Sequence, residues 1–292
     1  MIEIYKGWWH RDADKMEDYI FDKGISVPIV KVRSIHALNA LVGYCKYIYG
    51  NEGLIFFRGQ KNNYQTLKPG LYRNVISQAT MSSHKGYLNK FIDNTIKSNQ
   101  ILNNMDKVLV PPLLQHYGIK TDWIDLVDNL WVALWFSVHD YISAQYDKQY
   151  EFIKAINRDT KSTYLYLVLS DASDKNPKIP GYFTGKNSHL VDLRVAAPSV
   201  FLRPHTQHAL LMKKKSMSLP VESDMSECVK LIIELEPTKV FEWLGNGRLL
   251  SAENIYPSPV YDQGYSILLK GCPKPNFKYI GSISLITNEA YV

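Results

Sequence analysis

Cysteine is scarce in this chain. Its three cysteines, Cys45, Cys228 and Cys272, stand far apart, with no CxxC and no Cys/His pairing. Such spacing excludes a disulfide scaffold, argues against a structural zinc site and fits a reducing cytosol. No HExxH, strict GxGxxG, Walker A sequence or GxSxG elbow occurs, so zincin, Rossmann, P-loop and α/β-hydrolase chemistries lack their signatures. Long apolar runs are missing too. No stretch would cross a bilayer, and MIEIYKGWWHRDADKMEDY lacks the apolar core of a secretory leader. We therefore expect a cytoplasmic protein without membrane association. Internal repeats, low-complexity tracts and clear linkers are also absent from the sequence.

What remains is a chain of 292 residues, 46% hydrophobic, which can bury a large core as one domain. Its net charge is +6, and the distribution matters more than the total. Between Arg58 and Lys97 lie Arg58, Lys61, Lys68, Arg73, Lys85, Lys90 and Lys97 against Asp93 alone, an excess equal to that of the whole molecule. Tyr64, Tyr72 and Tyr87 are interleaved with these bases. Cation and aromatic together suit a polyanion whose bases stack, and a solvated helical face is the plainer alternative.

Along the chain, IEIY reads as a strand before a Trp8-Trp9 pair and a charged turn. Pro28–Lys31 is extended, and Ser34 caps an amphipathic helix running to Gly50. Leu54–Phe57 is an apolar strand ending at Arg58-Gly59, and polar helical segments span about 72–110. Residues 140–162 read as a loop or frayed helix, and 164–169 as a buried strand. Residues 171–198 read as a long surface loop. Strands are expected near 208–212 and 228–235, a helix near 240–245, and a closing strand at 266–269 or 280–286. One mixed α/β domain with a helical N-terminal part fits this order.

The stretch QHYGIKTDWIDLVDNLWVALWFSVH at 115–139 gathers His116, Tyr117, Thr121, Asp122, Asp125 and Asp128 beside the most hydrophobic helix of the chain. His-Tyr-Gly is a turn, since Gly118 takes positive φ easily. IKTDWID alternates like a strand, and Asp128 is the expected N-cap of the helix. Carboxylates beside such a helix need partners, because unpaired buried charge is costly. The group is either a polar turn on a core helix or a site. A metal site on His116, Asp122 and Asp125 matches no known spacing. Elsewhere, Arg58 ends its strand at a sheet rim, where Gly59 would admit a ligand backbone and the guanidinium fork suits phosphate or carboxylate. Gln207, where a strand begins, would bind a sugar hydroxyl or satisfy loop carbonyls.

Four blocks in order resemble the FRG domain family, named for a Phe/Tyr-Arg-Gly motif. These are LIFFRGQ with LKPGLYR at 54–73, the 115–138 stretch, RPHTQHALLM at 203–212, and LGNGRLLSAENIYPSPVYDQGYSI at 244–267. The resemblance covers about 54–268 and implies one FRG-type domain over 1–292, with 1–53 as a helical N-terminal extension. The family usually follows the threonine with Arg-Leu-Leu-Asp-Trp. Here Asp122 and Trp123 replace the first pair, and Leu126 replaces the tryptophan.

The order of elements is in turn similar to that of ADP-ribosyltransferases. That likeness implies an α+β fold with a mixed, mainly antiparallel sheet core and inserted helical segments. It also implies NAD as substrate and no metal. Arg58, Thr121 and Gln207 would be catalytic, with Gln207 in place of the usual acid. Phe57, Arg58, Gly59, His116, Tyr117, Asp122 and Asp125 would line the NAD site. Lys61, Lys68, Arg73 and Lys85 would present a nucleic-acid acceptor. A toxin or phage-defence effector of this kind implies a neutralising antitoxin or regulatory protein. The alternative is a non-catalytic module that binds a nucleotide or nucleic acid through the same pocket.

Overall fold

Strand-forming runs rich in β-branched and aromatic residues converge on one large sheet. A computed structural model describes residues 12–143, 150–172, 174, 177–272 and 277–288. The IEIY strand and the Trp8-Trp9 pair lie outside the described residues. Nine strands form the sheet, in the order Ala13–Lys15, Ile29–Val32, Val229–Leu235, Thr163–Ser170, Leu54–Gln60, Ile124–Val127, Ala209–Lys214, Ser188–Asp192 and Tyr182–Thr184. Ile29–Val32 runs parallel to Val229–Leu235, and the other neighbours are antiparallel. The fold is α+β with a mixed, mainly antiparallel sheet core, as expected.

Alternation along the strands gives the sheet two apolar faces. Phe57, Leu165, Leu167, Ile233 and Leu235 pack on one face with the helices Ile35–Ile48 and Leu130–Ser137. Phe56, Ile124, Leu126, Tyr166, Val168, Leu210 and Met212 pack on the other. A further cluster lies under the helices Gln78–Ser98 and Val110–His116, with Tyr117, Trp123, Phe201 and Tyr265 at its centre.

Ser34 caps the first helix as expected, accepting from the Ala37 amide at 3.2 Å. Ala37, Leu38, Leu41, Val42 and Cys45 form its buried stripe, the spacing of one helical face. At the Trp-rich helix Leu130–Ser137 the cap is Asn129, not Asp128. Asn129 Oδ1 accepts from Trp131 N at 2.9 Å and Val132 N at 3.3 Å. Asp128 is drawn away by Arg194, whose guanidinium reaches both its oxygens at 3.1 and 2.8 Å. Val132, Ala133, Leu134 and Trp135 are fully buried, while Trp131 and Phe136 are only partly so.

This helix lies directly on the strand Leu54–Gln60 at Gly59. A Cβ there would come 1.9 Å from the Ala133 carbonyl oxygen and 2.7 Å from Ser137 N. Gly59 therefore admits the protein's own backbone, and the expectation that it admits a ligand is replaced.

Five segments differ from the sequence expectations. Residues 119–123 are irregular, and the strand starts only at Ile124. Residues 140–162 hold most of the strand His139–Ser143 and all of Tyr150–Ala155, which join Leu285–Asn288 in a small sheet. The supposed loop 171–198 contains two strands at one edge of the main sheet and the short helix Leu193–Ala196. Residues 266–269 lie in the helix Gln263–Gly271, capped by Asp262. The N-terminal extension is more than helical, since Ala13–Lys15 and Ile29–Val32 belong to the main sheet.

Candidate functional site

The centre of the sheet comes apart where Arg58 sits. Phe57 pairs with Val127 in register, and past that pair the two strands diverge. The Asp125 carbonyl then lacks a ladder partner, and Arg58 Nη1 donates to it at 2.6 Å. Arg58 Nε has no partner among the described residues. Burial first, and the Arg73 charge second, lower the Arg58 pKa from its ordinary value, with Asp125 opposing. Two guanidinium groups thus share one neighbourhood, Arg73 on the exposed side.

The Asp125 side chain is held from the other direction. Gln115 Nε2 donates to one carboxylate oxygen at 3.0 Å, and His116 Nδ1 lies 3.3 Å from the other. Burial works to raise the Asp125 pKa. The His116 hydrogen bond and charge, then Arg58, then Gln115 outweigh it, leaving a carboxyl below its ordinary 3.8. It is an ionised group that still keeps 38% of its side-chain surface open. His116 is only 5% open, and its Nε2 has no partner among the described residues.

Local sequence explains this placement. Pro111 and Pro112 occupy the first turn of Val110–His116, where missing amides cost nothing. Gly118 (φ 110°) reverses the chain against the Ser282 carbonyl, which a Cβ would meet at 2.7 Å. The chain returns so that Gln115 Oε1 accepts from Thr121 N at 2.9 Å and Thr121 Oγ1 at 3.0 Å. Thr121 Oγ1 in turn accepts from Trp123 N at 3.2 Å. The result is a relay from Trp123 through Thr121 and Gln115 to Asp125.

The expected site residues divide accordingly. Arg58, His116 and Asp125 come together, and the Arg73 charge reaches Arg58. Thr121 is fully buried and acts through Gln115. Asp122 points elsewhere, to Lys213 Nζ at 3.3 Å, with that ammonium 4.7 Å from the Trp123 ring centroid. Phe57 is a core side chain, with Lys46 Nζ 5.0 Å from its ring. Tyr117 is buried and donates its hydroxyl to Asp262 at 2.7 Å. Gln207 is buried and donates to the Ile255 carbonyl at 2.9 Å. Among the bases, Lys61 pairs with Asp140 and Lys85 lies 5.9 Å from the Tyr72 ring centroid. Lys68 is half-buried.

Gln115, Arg194, Arg203 and His208 were not singled out from sequence. Gln115 stands at the start of the most distinctive stretch, so the signal was there. Arg194 grips Asp128 and Asp192, and His208 Nδ1 lies 3.1 Å from Asp128 Oδ1, with His208 at φ 51°. These groups lock the corner ahead of the Trp-rich helix. Tyr141 packs edge-on against Tyr256 at 5.5 Å. Burial raises its pKa, and its phenol feels both Arg203 and Asp125.

Among the described residues no group of three or more His, Cys, Asp or Glu could hold a metal ion. No helix among them is long and apolar enough to cross a membrane. The arrangement can hold an anion on Arg58 and Arg73 and offer an ionised carboxylate beside it.

Comparison with protein families identifies an FRG domain over residues 53–146, shorter than the 54–268 span of the resembling blocks. It takes in Arg58, Arg73, His116 and Asp125, and ends before Arg203 and Gln207. No curated protein and no solved structure matches the chain.

Proposed function

We propose that this chain, built around an FRG domain, is an NAD-consuming transferase of the ADP-ribosyltransferase type that modifies a macromolecule, with nucleic acid favoured. The observation that carries the reading is the open, ionised Asp125 carboxylate next to Arg58, whose guanidinium in turn feels the Arg73 charge. NAD joins an anionic diphosphate to a ribose that turns cationic as its bond to nicotinamide loosens. Arg58 and Arg73 complement the first charge, and Asp125 the second. His116 and Gln115 keep Asp125 charged and oriented. Thr121 and Gln207, whose polar groups are bonded inside the protein, act as supports rather than catalytic groups. The exposed bases Arg73, Lys90 and Lys97 favour a nucleic-acid acceptor. Such an enzyme would work in the cytoplasm as a toxin or phage-defence effector, restrained by a neutralising partner.

A second reading, a non-catalytic module that binds a nucleotide or nucleic acid, draws on Gln207. It is neutral where the transferases carry an acid, and it is bonded to the Ile255 carbonyl. One experiment separates the two. Protein is incubated with adenylate-labelled NAD and total RNA, DNA and protein, while calorimetry follows NAD binding. Labelled product that vanishes in Asp125→Asn supports the transferase. Binding without turnover leaves the module. Arg58→Lys should weaken NAD binding by about 1.5–3 kcal/mol, since the fork is lost and the charge kept. If the wild-type protein binds no NAD, the transferase reading falls.

A further inference from the structure

Arg203 is a buried cation that forms no ion pair among the described residues. It opens the short helix Arg203–Thr206 and is 1% exposed. Its guanidinium carbon lies 4.5, 5.1 and 4.2 Å from the ring centroids of Tyr117, Tyr256 and Tyr265. Asp262 stands beside this cage but is engaged otherwise. Its carboxylate accepts from Tyr117 Oη at 2.7 Å, from the Arg203 backbone amide at 3.0 Å and from Tyr265 N at 2.9 Å. Glu151 feels the Arg203 charge, yet among the described residues no carboxylate forms an ion pair with it.

The unused atoms are informative. Nε and Nη2 have no hydrogen-bond partner among the described residues. These two nitrogens carry the parallel N–H bonds along one edge of a guanidinium, the edge that grips an oxyanion by two hydrogen bonds. Tyrosine rings cover its surroundings, and the two-pronged edge is left unsatisfied. Aromatic faces offset part of the cost of burying the charge, but an unfilled fork is a loss for the fold. A fold keeps such a loss where a ligand makes it good.

We propose that the Arg203 fork is a phosphate-binding subsite, separate from Arg58 and not dependent on NAD turnover. Two phosphate oxygens take Nε and Nη2. Beside the cage the Tyr141 ring stands edge-on to Tyr256 at 5.5 Å and is 40% exposed. The match to a phosphate is one of charge and edge geometry.

The test uses inorganic phosphate as the probe, at constant ionic strength, on full-length Arg58→Gln protein so that the first cation is removed. Calorimetry should still find one phosphate site. Adding Arg203→Lys should weaken it by about ten- to a hundredfold, because the charge stays and the fork goes. In phosphate-free buffer Arg203→Met should melt at or above the wild-type temperature, and it should lose the rise that phosphate gives the wild type. The proposal is overturned if Arg58→Gln protein binds no phosphate, or if Arg203→Lys leaves the affinity unchanged. It is equally overturned if Arg203→Met melts well below wild type or both Arg203 variants fail to fold. The guanidinium would then be an element of the core held by its tyrosines.

Discussion

Replacing Gly59 by alanine separates two roles for the glycine of the FRG motif. The added Cβ would lie 1.9 Å from the Ala133 carbonyl oxygen and 2.7 Å from Ser137 N. Ordinary contact begins near 3.4 Å, so strand and helix must move apart by about 1.5 Å. Both offending atoms are backbone, and no side-chain rotation relieves them. Overpacking a core costs roughly 1–3 kcal/mol, and a clash against rigid backbone on the most buried helix belongs at the top of that range. At about 2–4 °C per kcal/mol, the melting temperature should fall by roughly 6–12 °C. Gly86→Ala is the control, since nothing lies within 4 Å of its Cβ in the helix Gln78–Ser98. It should stabilise by about 0.5–1 kcal/mol. Thermal melts followed by circular dichroism measure both. A Gly59→Ala protein that melts with the wild type while losing ligand binding would refute the packing argument and return the glycine to the ligand.

Trp135, 2% exposed and stacked on His139 at 3.9 Å, should cost about 3–5 kcal/mol when cut to alanine, read as a fall in denaturation midpoint. Asp125 has a folded pKa below its ordinary 3.8. Its contribution to stability is therefore present above that value and lost as the pH falls through the lowered one, so Asp125→Asn should flatten the acid limb of a melting-temperature profile. All three thiols are pushed up to about 12 by burial. Folded protein at about pH 8 should then consume almost no maleimide, and denatured protein three equivalents. Fast labelling of the native protein would contradict that burial.

Local rules account for what the sequence revealed. Ser34 with its apolar stripe and Leu54–Phe57 with its run of large residues carry their structure in adjacent positions. So does Gly118, whose reversal follows from its missing Cβ. The strand Ser188–Asp192 does not, because a short strand takes its shape from the neighbours it pairs with, here Ala209–Lys214 and Tyr182–Thr184. Tyr150–Ala155 is half-polar and largely open, so its alternation is weak. Asp128 and Asn129 are both good caps, and only the distant Arg194 decides between them. The site follows the same division. Arg58 and Asp125 were legible as chemistry, but the strand divergence that joins them was not. Arg203 was invisible because its cage comes from tyrosines at 117, 256 and 265.

The strand order also sets a timetable for synthesis. Ile29–Val32 is made early, yet its parallel neighbour is Val229–Leu235. Leu54–Gln60 waits likewise for Thr163–Ser170, and Ile124–Val127 for Ala209–Lys214. Ribosomes add about 5–20 residues per second, so Ile29–Val32, paired early with Ala13–Lys15 on one side, keeps its other edge open for on the order of ten seconds or more. Pairings so distant in sequence fold slowly, and the waiting edges are apolar and prone to aggregate. A nascent chain of this kind therefore depends on whatever shields it in that interval. The recess at Arg58 and Asp125 cannot be framed on both sides until Ala209–Lys214 is in place, so a truncated product would lack it.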